Sequence, residues 1–330
     1  MSYDVEELEL KNNSDQEQAR TRRIFEDLKS KAENREKLTE HEKDFFCSAI
    51  RLSRMNDGSM DEYDCCANFK FKELYLTYFK VLLGLSKYRK VKGHVSYEVD
   101  NQEIKNDLAY LSKVEKEWLS LIDKTNHSEE LLQQISKETR KELEKIKKTT
   151  GRDSNNRNQI NDQRKVRSVI LQSKYIYLTA LKIYEILKPT DFVFSLNGNF
   201  IEITEYSIVH ILNRHFAQIT KPDSKKSFHN TDFKPKYLTI QLKKIFEEID
   251  KSGLLYGMPI NKIAFMYKGV SYQVWINKRY KQIKGKGNVK INRLETFYPI
   301  EEYPELLKIQ DDNKLIKISK DLSIYIEKTD

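Results

Sequence analysis

The feature that most constrains the fold is a change in sequence periodicity at Pro189. Between residues 17 and 149, apolar side chains recur at steps of three and four, the spacing of one helix face, and no proline interrupts them. Beyond Pro189, short apolar runs flank turn residues, as in strands. The sequence therefore predicts the α+β class: an N-terminal all-helical domain, then a C-terminal domain of helices and an antiparallel sheet.

The polar, aperiodic stretch at 151–158 marks a break in this chain of 330 residues. Residues 166–187 then predict one long amphipathic helix that stops at Pro189. We therefore expect a helical regulatory or partner-binding domain at 1–150, a linker and connecting helix at 151–188, and an α+β domain at 189–330. Helices of the first domain are predicted near residues 16–32, 35–55, 62–90, 101–124 and 127–149.

In the C-terminal domain, the turn signal Asn197-Gly198-Asn199 between two apolar runs predicts a hairpin. Helices are predicted near residues 205–219 and 236–252. Strands are predicted near 262–268, 270–277, 289–298, 314–319 and 322–327. Runs of helices followed by runs of strands favour an antiparallel sheet.

The basic charge is concentrated in residues 251–300, which hold ten Lys and Arg against one acid, Glu295. The rest of the chain balances 49 basic against 49 acidic side chains, so this window carries the whole formal net charge of +9. A localised excess of this kind favours a polyanion partner, of which nucleic acid is the most common.

The composition excludes several other settings. No run approaches the eighteen or so apolar residues of a membrane span, and the acidic N-terminus lacks the apolar core of a signal peptide. The three cysteines show no ligand spacing and are interpreted as reduced thiols. The histidines at 210 and 215 are five residues apart, which does not fit a helical metal pair. We predict a cytoplasmic protein with no membrane partner, no metal and no cofactor.

His215 is the main candidate for chemistry. A helical projection places it on the apolar face with Ile208 and Leu212, while His210 points nearly the opposite way. Alone, such a residue is most simply a hydrogen-bonded histidine at the edge of a core. Arg293 and Thr296 of a late strand can both face it only if a bulge interrupts the alternation, or if they act at the strand end.

The C-terminal half resembles the phage-associated branch of the barnase, EndoU, colicin and RelE-type nuclease superfamily. The resemblance covers about residues 190–305 and rests on a hairpin, a helix bearing Ile211-Leu212-Asn213-Arg214-His215, a second helix, and strands ending in Ile291-Asn292-Arg293-Leu294-Glu295-Thr296-Phe297-Tyr298-Pro299. It implies a metal-independent ribonuclease, as in toxins and phage-conflict or antiviral effectors. The implied partner is RNA, whether tRNA, mRNA or ribosome-associated.

The resemblance also implies a set of site residues. The catalytic positions are His215, Arg214, Arg279, Arg293, Thr296 and Tyr298. Beside these, the predicted RNA-binding residues are Lys278, which also matches the resemblance, Lys281, Lys284, Lys286 and Lys290 of the basic window, and His210. Histidine suits acid or base work because its reference pKa of ~6.5 lies near neutrality, and the cationic side chains would stabilise the charged transition state. A second acid or base residue to accompany His215 is not evident in the sequence.

Two alternatives stay open. The spacing of Arg89 and His94, with four residues between them, resembles that of helical HEPN-type ribonucleases, although Gly93 weakens a helix there. The other alternative is non-enzymatic: a nucleic-acid-binding protein, or a phage structural or interaction protein. In either case the N-terminal helices are candidates for binding a protein partner or for self-association.

Overall fold

The computed structural model describes residues 2–34, 36–51, 68–80, 88–150, 156–216, 219–220, 226–229, 232–283, 285 and 287–328. The chain divides into two compact units, one formed by Met1–Ser128 and Ile135–Tyr175, the other by Glu129–Gln134 and Ile176–Asp330. Within the described residues, helices dominate the first unit, whereas the second combines helices with a large sheet. This confirms the predicted α+β class.

The helices before Pro189 follow the predicted order. They are α1 (Val5–Leu8), α2 (Asp15–Glu33), α3 (Glu40–Arg51), α4 (Phe69–Tyr75), α5 (Asn101–Ile122), α6 (Glu130–Thr150) and α7 (Asn156–Ile186). A π-helical turn, Leu76–Lys80, continues α4. The predicted helix over 62–90 is wrong at its C-terminal end, because a strand begins at Arg89, whereas positions 62–67 and 81–87 lie outside the described residues. The predicted linker over 151–158 is also too long, since α7 already begins at Asn156.

Side-chain caps and apolar faces explain the helices of the first unit. Ser14 caps α2 by accepting from the backbone N–H of Glu17, and Asp100 caps α5 by accepting from two backbone N–H groups of its first turn. The buried face of α2 includes Phe25 and Leu28. The indole N–H of Trp118 in α5 donates to Ser173 Oγ at 2.8 Å, so this buried polar group is satisfied.

A small hairpin replaces the end of the predicted helix. Strands β1 (Arg89–Lys92) and β2 (Val95–Glu98) pair antiparallel around Gly93. Gly93 has φ +58°, and a Cβ on it would lie 2.7 Å from the backbone carbonyl of Thr21. Only glycine fits this turn against α2. The hairpin contradicts the helical geometry on which the HEPN-like spacing of Arg89 and His94 depends.

Lys90 lies at the centre of a buried ionic network in the first unit. Its ammonium is 2.5 Å from Asp107 Oδ2 and 2.8 Å from Glu103 Oε1. The Tyr78 hydroxyl donates to Asp107 at 2.9 Å, and the Tyr97 hydroxyl donates to Glu103 at 3.0 Å. The Lys90 side chain is only 5% exposed. One buried cation therefore compensates two carboxylates, and in each the oxygen that contacts Lys90 also accepts from a tyrosine.

The second unit contains strands β3 (Val193–Leu196) and β4 (Asn199–Glu202), helices α8 (Glu205–His215) and α9 (Leu238–Ser252), strands β5 (Lys262–Tyr267), β6 (Val270–Ile283) and β7 (Gly287–Pro299), helix α10 (Tyr303–Asp312), and strands β8 (Asn313–Lys317) and β9 (Leu322–Glu327). Two short 3₁₀ turns precede β3 and α9. Helix α10 was not predicted, and α8 ends four residues earlier than predicted. Strand β6 runs six residues further.

The large sheet has the strand order β3-β4-β7-β6-β5-β9-β8. The predicted purely antiparallel sheet is wrong at one place, because β4 and β7 pair in parallel through Ile201–Asn292 and Glu202–Arg293. Two helices and two strands separate β4 from β7 in sequence, so no tight turn dictates an antiparallel return. The other neighbouring pairs are antiparallel.

An aromatic core holds this sheet to α9. Phe246 of α9 stacks on Phe194 of β3 with ring centroids 4.4 Å apart, and it meets Phe265 of β5 edge-on at 6.1 Å. Phe265 in turn lies 5.7 Å from Tyr272 and 6.1 Å from Phe297. These five rings are at most 3% exposed. They give the strands β5 to β7 a rigid base for the residues on the other face.

Candidate functional site

Helix α8 carries His215 and is fixed to β7 by a buried serine. Ser207, in the first turn, accepts from the backbone N–H of Thr204 at 3.0 Å and donates to the backbone carbonyl of Leu294 at 2.5 Å. Ile208 and Leu212 are fully buried on the same helix. The helix ends after His215 because Phe216 takes an extended conformation. His215 therefore stands at the helix C-terminus, beside β7.

A β-bulge in β7 brings the predicted strand residues to one face. Trp275 pairs with Thr296, but the next residue of β6, Ile276, pairs with Leu294, so Glu295 is an extra residue in the strand. Cross-strand partners share a face. Consequently Arg293, Thr296 and Tyr298 lie on one face of the sheet and not on alternating faces. The bulge that the sequence required for Arg293 and Thr296 to act together is present.

His215 meets Thr296 directly. The Nε2 atom of His215 is 3.1 Å from Thr296 Oγ1, and its Nδ1 is 3.0 Å from the backbone carbonyl of Ser227. A carbonyl only accepts, so Nδ1 carries the proton and donates. In the neutral ring Nε2 then holds a lone pair, and the threonine hydroxyl donates to it. The Tyr298 ring stacks on the imidazole at a centroid distance of 5.3 Å and an angle of 20°.

The electrostatic setting keeps this imidazole neutral. Burial lowers the pKa of His215 to about 4, although the bond to the Ser227 carbonyl acts in the opposite direction. The nearby His210, Arg214 and Lys226 lower the pKa further. At neutral pH the ring is therefore a proton acceptor with its lone pair presented to the Thr296 hydroxyl.

A cleft of about 720 Å³ opens at His215 and Thr296. It is lined by His210, Arg214, His215, Lys226, Ser227, Trp275, Thr296, Tyr298, Pro299, Glu301, Glu302 and Glu305. Four residues predicted to be catalytic are thus gathered in one place: His215, Arg214, Thr296 and Tyr298. Besides its histidines, this lining holds two cations and three carboxylates, so it is not the strongly basic pocket that the charge of residues 251–300 predicts.

His210 also lines the cleft, contrary to the prediction that it points away from His215. The two imidazole centroids are 6.3 Å apart, and the His210 ring stacks on Tyr206 at 5.4 Å. The helical projection treats side chains as radial, but His215 is the last helical residue and both rings reach the same helix edge. A second imidazole thus lies beside that of His215.

Arg279 and Arg293 do not line the cleft. Both guanidinium groups bind the carboxylate of Glu295, Arg279 Nε at 2.8 Å and Arg293 Nε at 3.1 Å. Arg293 also lies over the Tyr206 ring at 4.0 Å. The sequence predicted that these arginines act at the same phosphate as His215. It did not predict that Glu295, the extra residue between Arg293 and Thr296, binds both of them. Both remain on the cleft's face of the sheet. Arg293 is at the next position of that face beyond Thr296, and Arg279 is at the position after it.

Three of the predicted RNA-binding lysines, Lys278, Lys281 and Lys290, lie on an extension of β6 and β7 beyond the core. We call this extension, residues 277–283 and 287–293, the arm. Lys281 lies on the cleft's face of the arm and pairs with Glu202 at 3.2 Å. Lys278, which pairs with Asn292, and Lys290, which pairs with Tyr280, are exposed on the opposite face. Lys284 and Lys286 lie outside the described residues.

Tyr298 differs from its predicted role as a phosphate-orienting hydroxyl. Its hydroxyl donates to Gln273 Oε1 at 2.6 Å and lies 3.1 Å from Glu305 Oε1. Burial, followed by the charge of Glu305, raises the pKa of Tyr298 above its ordinary value. The neutral phenol thus anchors the ring that packs on His215.

Sequence reasoning missed His229, a buried neighbour of His215. The two imidazole centroids are 6.3 Å apart, and His229 Nε2 is 3.0 Å from the backbone carbonyl of Phe297, to which it donates. Burial lowers the pKa of His229 to about 3, so the ring is neutral. His229 belongs to an irregular segment without periodicity, and no pattern in the sequence relates it to β7. Of the other cleft residues outside the predicted site, Lys226, Glu301 and Glu302 also lie in irregular segments, Glu305 lies in the unpredicted helix α10, and Trp275 lies on a predicted strand from which its role could not be read.

Comparison of the chain with known protein families, curated proteins and solved structures finds no relative. No family model, no curated protein and no solved structure matches this chain. In the part of the chain that the structure describes, no group of three or more His, Cys, Asp or Glu is placed to hold a metal ion. Among the same residues, no helix has the length and apolar character of a membrane span. The candidate site therefore stands on its own geometry.

Proposed function

We propose that this protein is an endoribonuclease that cleaves RNA through attack of a ribose 2′-hydroxyl, without a metal ion. The observation that carries the proposal is the 3.1 Å contact between His215 Nε2 and Thr296 Oγ1 inside the cleft. A neutral imidazole, fixed through its other nitrogen, already accepts from a hydroxyl there. A substrate hydroxyl that displaces Thr296 meets the same lone pair at hydrogen-bond distance.

The proton transfers follow from the two histidines. His215 Nε2 takes the proton of the 2′-hydroxyl while the 2′-oxygen bonds to the adjacent phosphorus. The bond from phosphorus to the 5′-oxygen breaks, and that oxygen takes a proton from the imidazolium form of His210. The products are a 2′,3′-cyclic phosphate and a free 5′-hydroxyl. Rings with centroids 6.3 Å apart can contact two oxygens of one phosphate.

Charge stabilisation comes from the cleft and the arm. Arg214 and Lys226 line the cleft, and their charges act on His215. The Thr296 hydroxyl, released from His215 by substrate, can donate to a phosphate oxygen. Such donors lower the energy of the pentacoordinate transition state. Further phosphates of the strand would pass along the arm, where Arg293, Arg279 and Lys281 follow Thr296 on the same face.

The proposal is tested with labelled RNA in EDTA. We expect cleavage of RNA and no cleavage of the same sequence carrying 2′-O-methyl groups, because the attacking hydroxyl is blocked. Products should end in a 2′,3′-cyclic phosphate. Ribosomes are added in a parallel reaction, since ribosome-associated RNA is one candidate substrate. Binding of RNA without cleavage in both reactions would instead support a nucleic-acid-binding protein and end the nuclease proposal.

The acidity of His215 predicts an unusual pH dependence. The base is active only when unprotonated, and its pKa is lowered to about 4. The acidic limb of kcat/KM for RNA cleavage, on which His215 becomes protonated, should therefore have its midpoint near pH 4 and not at the ordinary histidine value of ~6.5. Initial rates in EDTA from pH 3.5 to 8, with circular dichroism at each pH to verify folding, measure this. A midpoint near 6.5 would contradict the assignment of His215 as the base.

A further inference from the structure

We propose that the cleft binds an RNA base stacked on Trp275, with the amino-bearing edge of that base turned to the carboxylates of Glu301, Glu302 and Glu305. This inference rests on the proposed function, which it deepens by assigning a base subsite. It predicts that guanine, adenine and cytosine are accepted in preference to uracil.

Trp275 has the properties of a stacking platform. It is the ladder partner of Thr296, so it adjoins the reacting position, and it remains 43% exposed although it lines the cleft. Ligand sites are lined mostly by hydrophobic and aromatic side chains, so a tryptophan exposed inside a cleft is placed to contact a ligand. Single-stranded nucleic acids are bound by this kind of side chain, because every base has a π-face.

The Trp275 ring is held in a fixed orientation. Its indole N–H donates to Gln273 Oε1 at 2.9 Å, and the same oxygen accepts from the Tyr298 hydroxyl at 2.6 Å. Gln273 is itself only 1% exposed. On β5, the Lys262 ammonium lies 5.6 Å from the Trp275 ring centroid. An aromatic ring fixed in this way stacks on a ligand with little loss of side-chain entropy.

The carboxylates select the edge of the base. Glu301 accepts from the backbone N–H of Phe228 at 3.2 Å, and Glu305 lies 3.1 Å from the Tyr298 hydroxyl. Each carboxylate offers about four acceptor positions, so both retain capacity for a ligand, as does Glu302. Amino groups of guanine, adenine and cytosine donate to such acceptors. Uracil presents carbonyl oxygens on both sides of its single N–H, which the carboxylates repel.

The size and charge of the cleft agree with this occupant. A volume of about 720 Å³ lies within the range of small-molecule sites and accommodates one nucleotide. A lining with more carboxylates than cations is unsuited to several phosphates. It suits one phosphate beside His215 together with an uncharged base that donates hydrogen bonds.

The test measures binding of the four 2′-deoxynucleoside 3′-monophosphates, which lack the attacking hydroxyl and are not cleaved. The chain has two tryptophans, and Trp118 is 4% exposed, so quenching by nucleotide should report on Trp275. Trp275→Phe should abolish the quenching and keep the affinity, measured by calorimetry, within about fivefold. Trp275→Ala should weaken binding by about 5- to 140-fold, the loss of one stacked base.

Selectivity is read from the same titrations. We expect the uracil nucleotide to bind at least about fivefold more weakly than the guanine nucleotide, and Glu302→Gln to narrow that difference. Equal affinities of wild type and Trp275→Ala, or no binding of any nucleotide by wild type, would overturn the proposed subsite. RNA cleavage by the same variants is measured separately. If Trp275→Ala cleaves RNA with unchanged kcat/KM, the proposed base subsite is wrong and the nuclease proposal is unaffected.

Discussion

His215→Ala is expected to lower kcat/KM for RNA cleavage by about 10²- to 10⁴-fold, the usual contribution of a positioned general base. Alanine removes the imidazole whose Nε2 accepts from Thr296 Oγ1 and whose Nδ1 donates to the Ser227 carbonyl. The measurement is the initial rate on labelled RNA in EDTA. His41→Ala is the matched control, because His41 is an exposed histidine of α3 and should cleave at the wild-type rate.

Substitutions of Thr296 separate its role from that of the histidine. Thr296→Ser keeps the hydroxyl and should retain most activity, whereas Thr296→Val keeps the shape and removes the donor to the phosphate. If the threonine only orients the ring, Thr296→Val should lower kcat by far less than His215→Ala. Undiminished cleavage by both His215→Ala and His210→Ala would remove both histidines from the mechanism, even if the protein is a ribonuclease.

Lys90→Met is expected to destabilise the first unit by about 3–5 kcal/mol, the cost of breaking a buried ion pair. The substitution leaves the carboxylates of Asp107 and Glu103 without their shared cation, in a network where Lys90 is 5% exposed. Urea unfolding followed by Trp118 emission, in a Trp275→Phe background, reports this unit because Trp118 is buried in it. Lys92→Met on the same strand is the control.

The control lysine forms an ion pair that is exposed. Lys92 pairs with Glu26 at 2.9 Å, with side chains 38% and 46% exposed, and an exposed pair contributes about 0–1 kcal/mol. The destabilisation of Lys90→Met should also shrink as pH falls from 7 toward 4. Uncompensated buried carboxyls have raised pKa values, so the folded state binds protons more readily than the unfolded chain and regains stability on acidification. Equal losses in the two variants, or a loss independent of pH, would show that the network is not buried in solution.

Local signals predicted most of the second unit. The Asn197-Gly198 turn has positive φ at both residues, +50° and +71°, as a two-residue hairpin loop requires. The helical face of Ile208 and Leu212 is buried as its periodicity indicates. The contact between His215 and Thr296 joins residues 81 positions apart, and both belonged to the predicted site because each stood on a recognisable element.

What the sequence could not predict depends on long-range pairing and irregular segments. The binding of Arg279 and Arg293 to Glu295 depends on which residue of β7 bulges, and alternation alone does not reveal this. The parallel pairing of β4 with β7 depends on how the intervening elements pack. His229 and Ser227 lie in an irregular segment, where neither the helical nor the strand periodicity of apolar residues applies. In the first unit, Gly93 was interpreted as a weak helix position, whereas its contact with Thr21 shows a tight turn.

The bulge at Glu295 has a consequence for how this strand tolerates changes of length. Loss of one residue elsewhere in β7 would exchange inward and outward side chains for the rest of the strand. Loss of Glu295 would not, because Leu294 and Thr296 would then be consecutive residues of a regular ladder with their present faces. A deletion of this residue, or its insertion into a regular strand, therefore leaves the faces of all other β7 side chains unchanged. A lineage could gain or lose the carboxylate between Arg279 and Arg293 in a single codon step, with the aromatic core and the cleft unchanged.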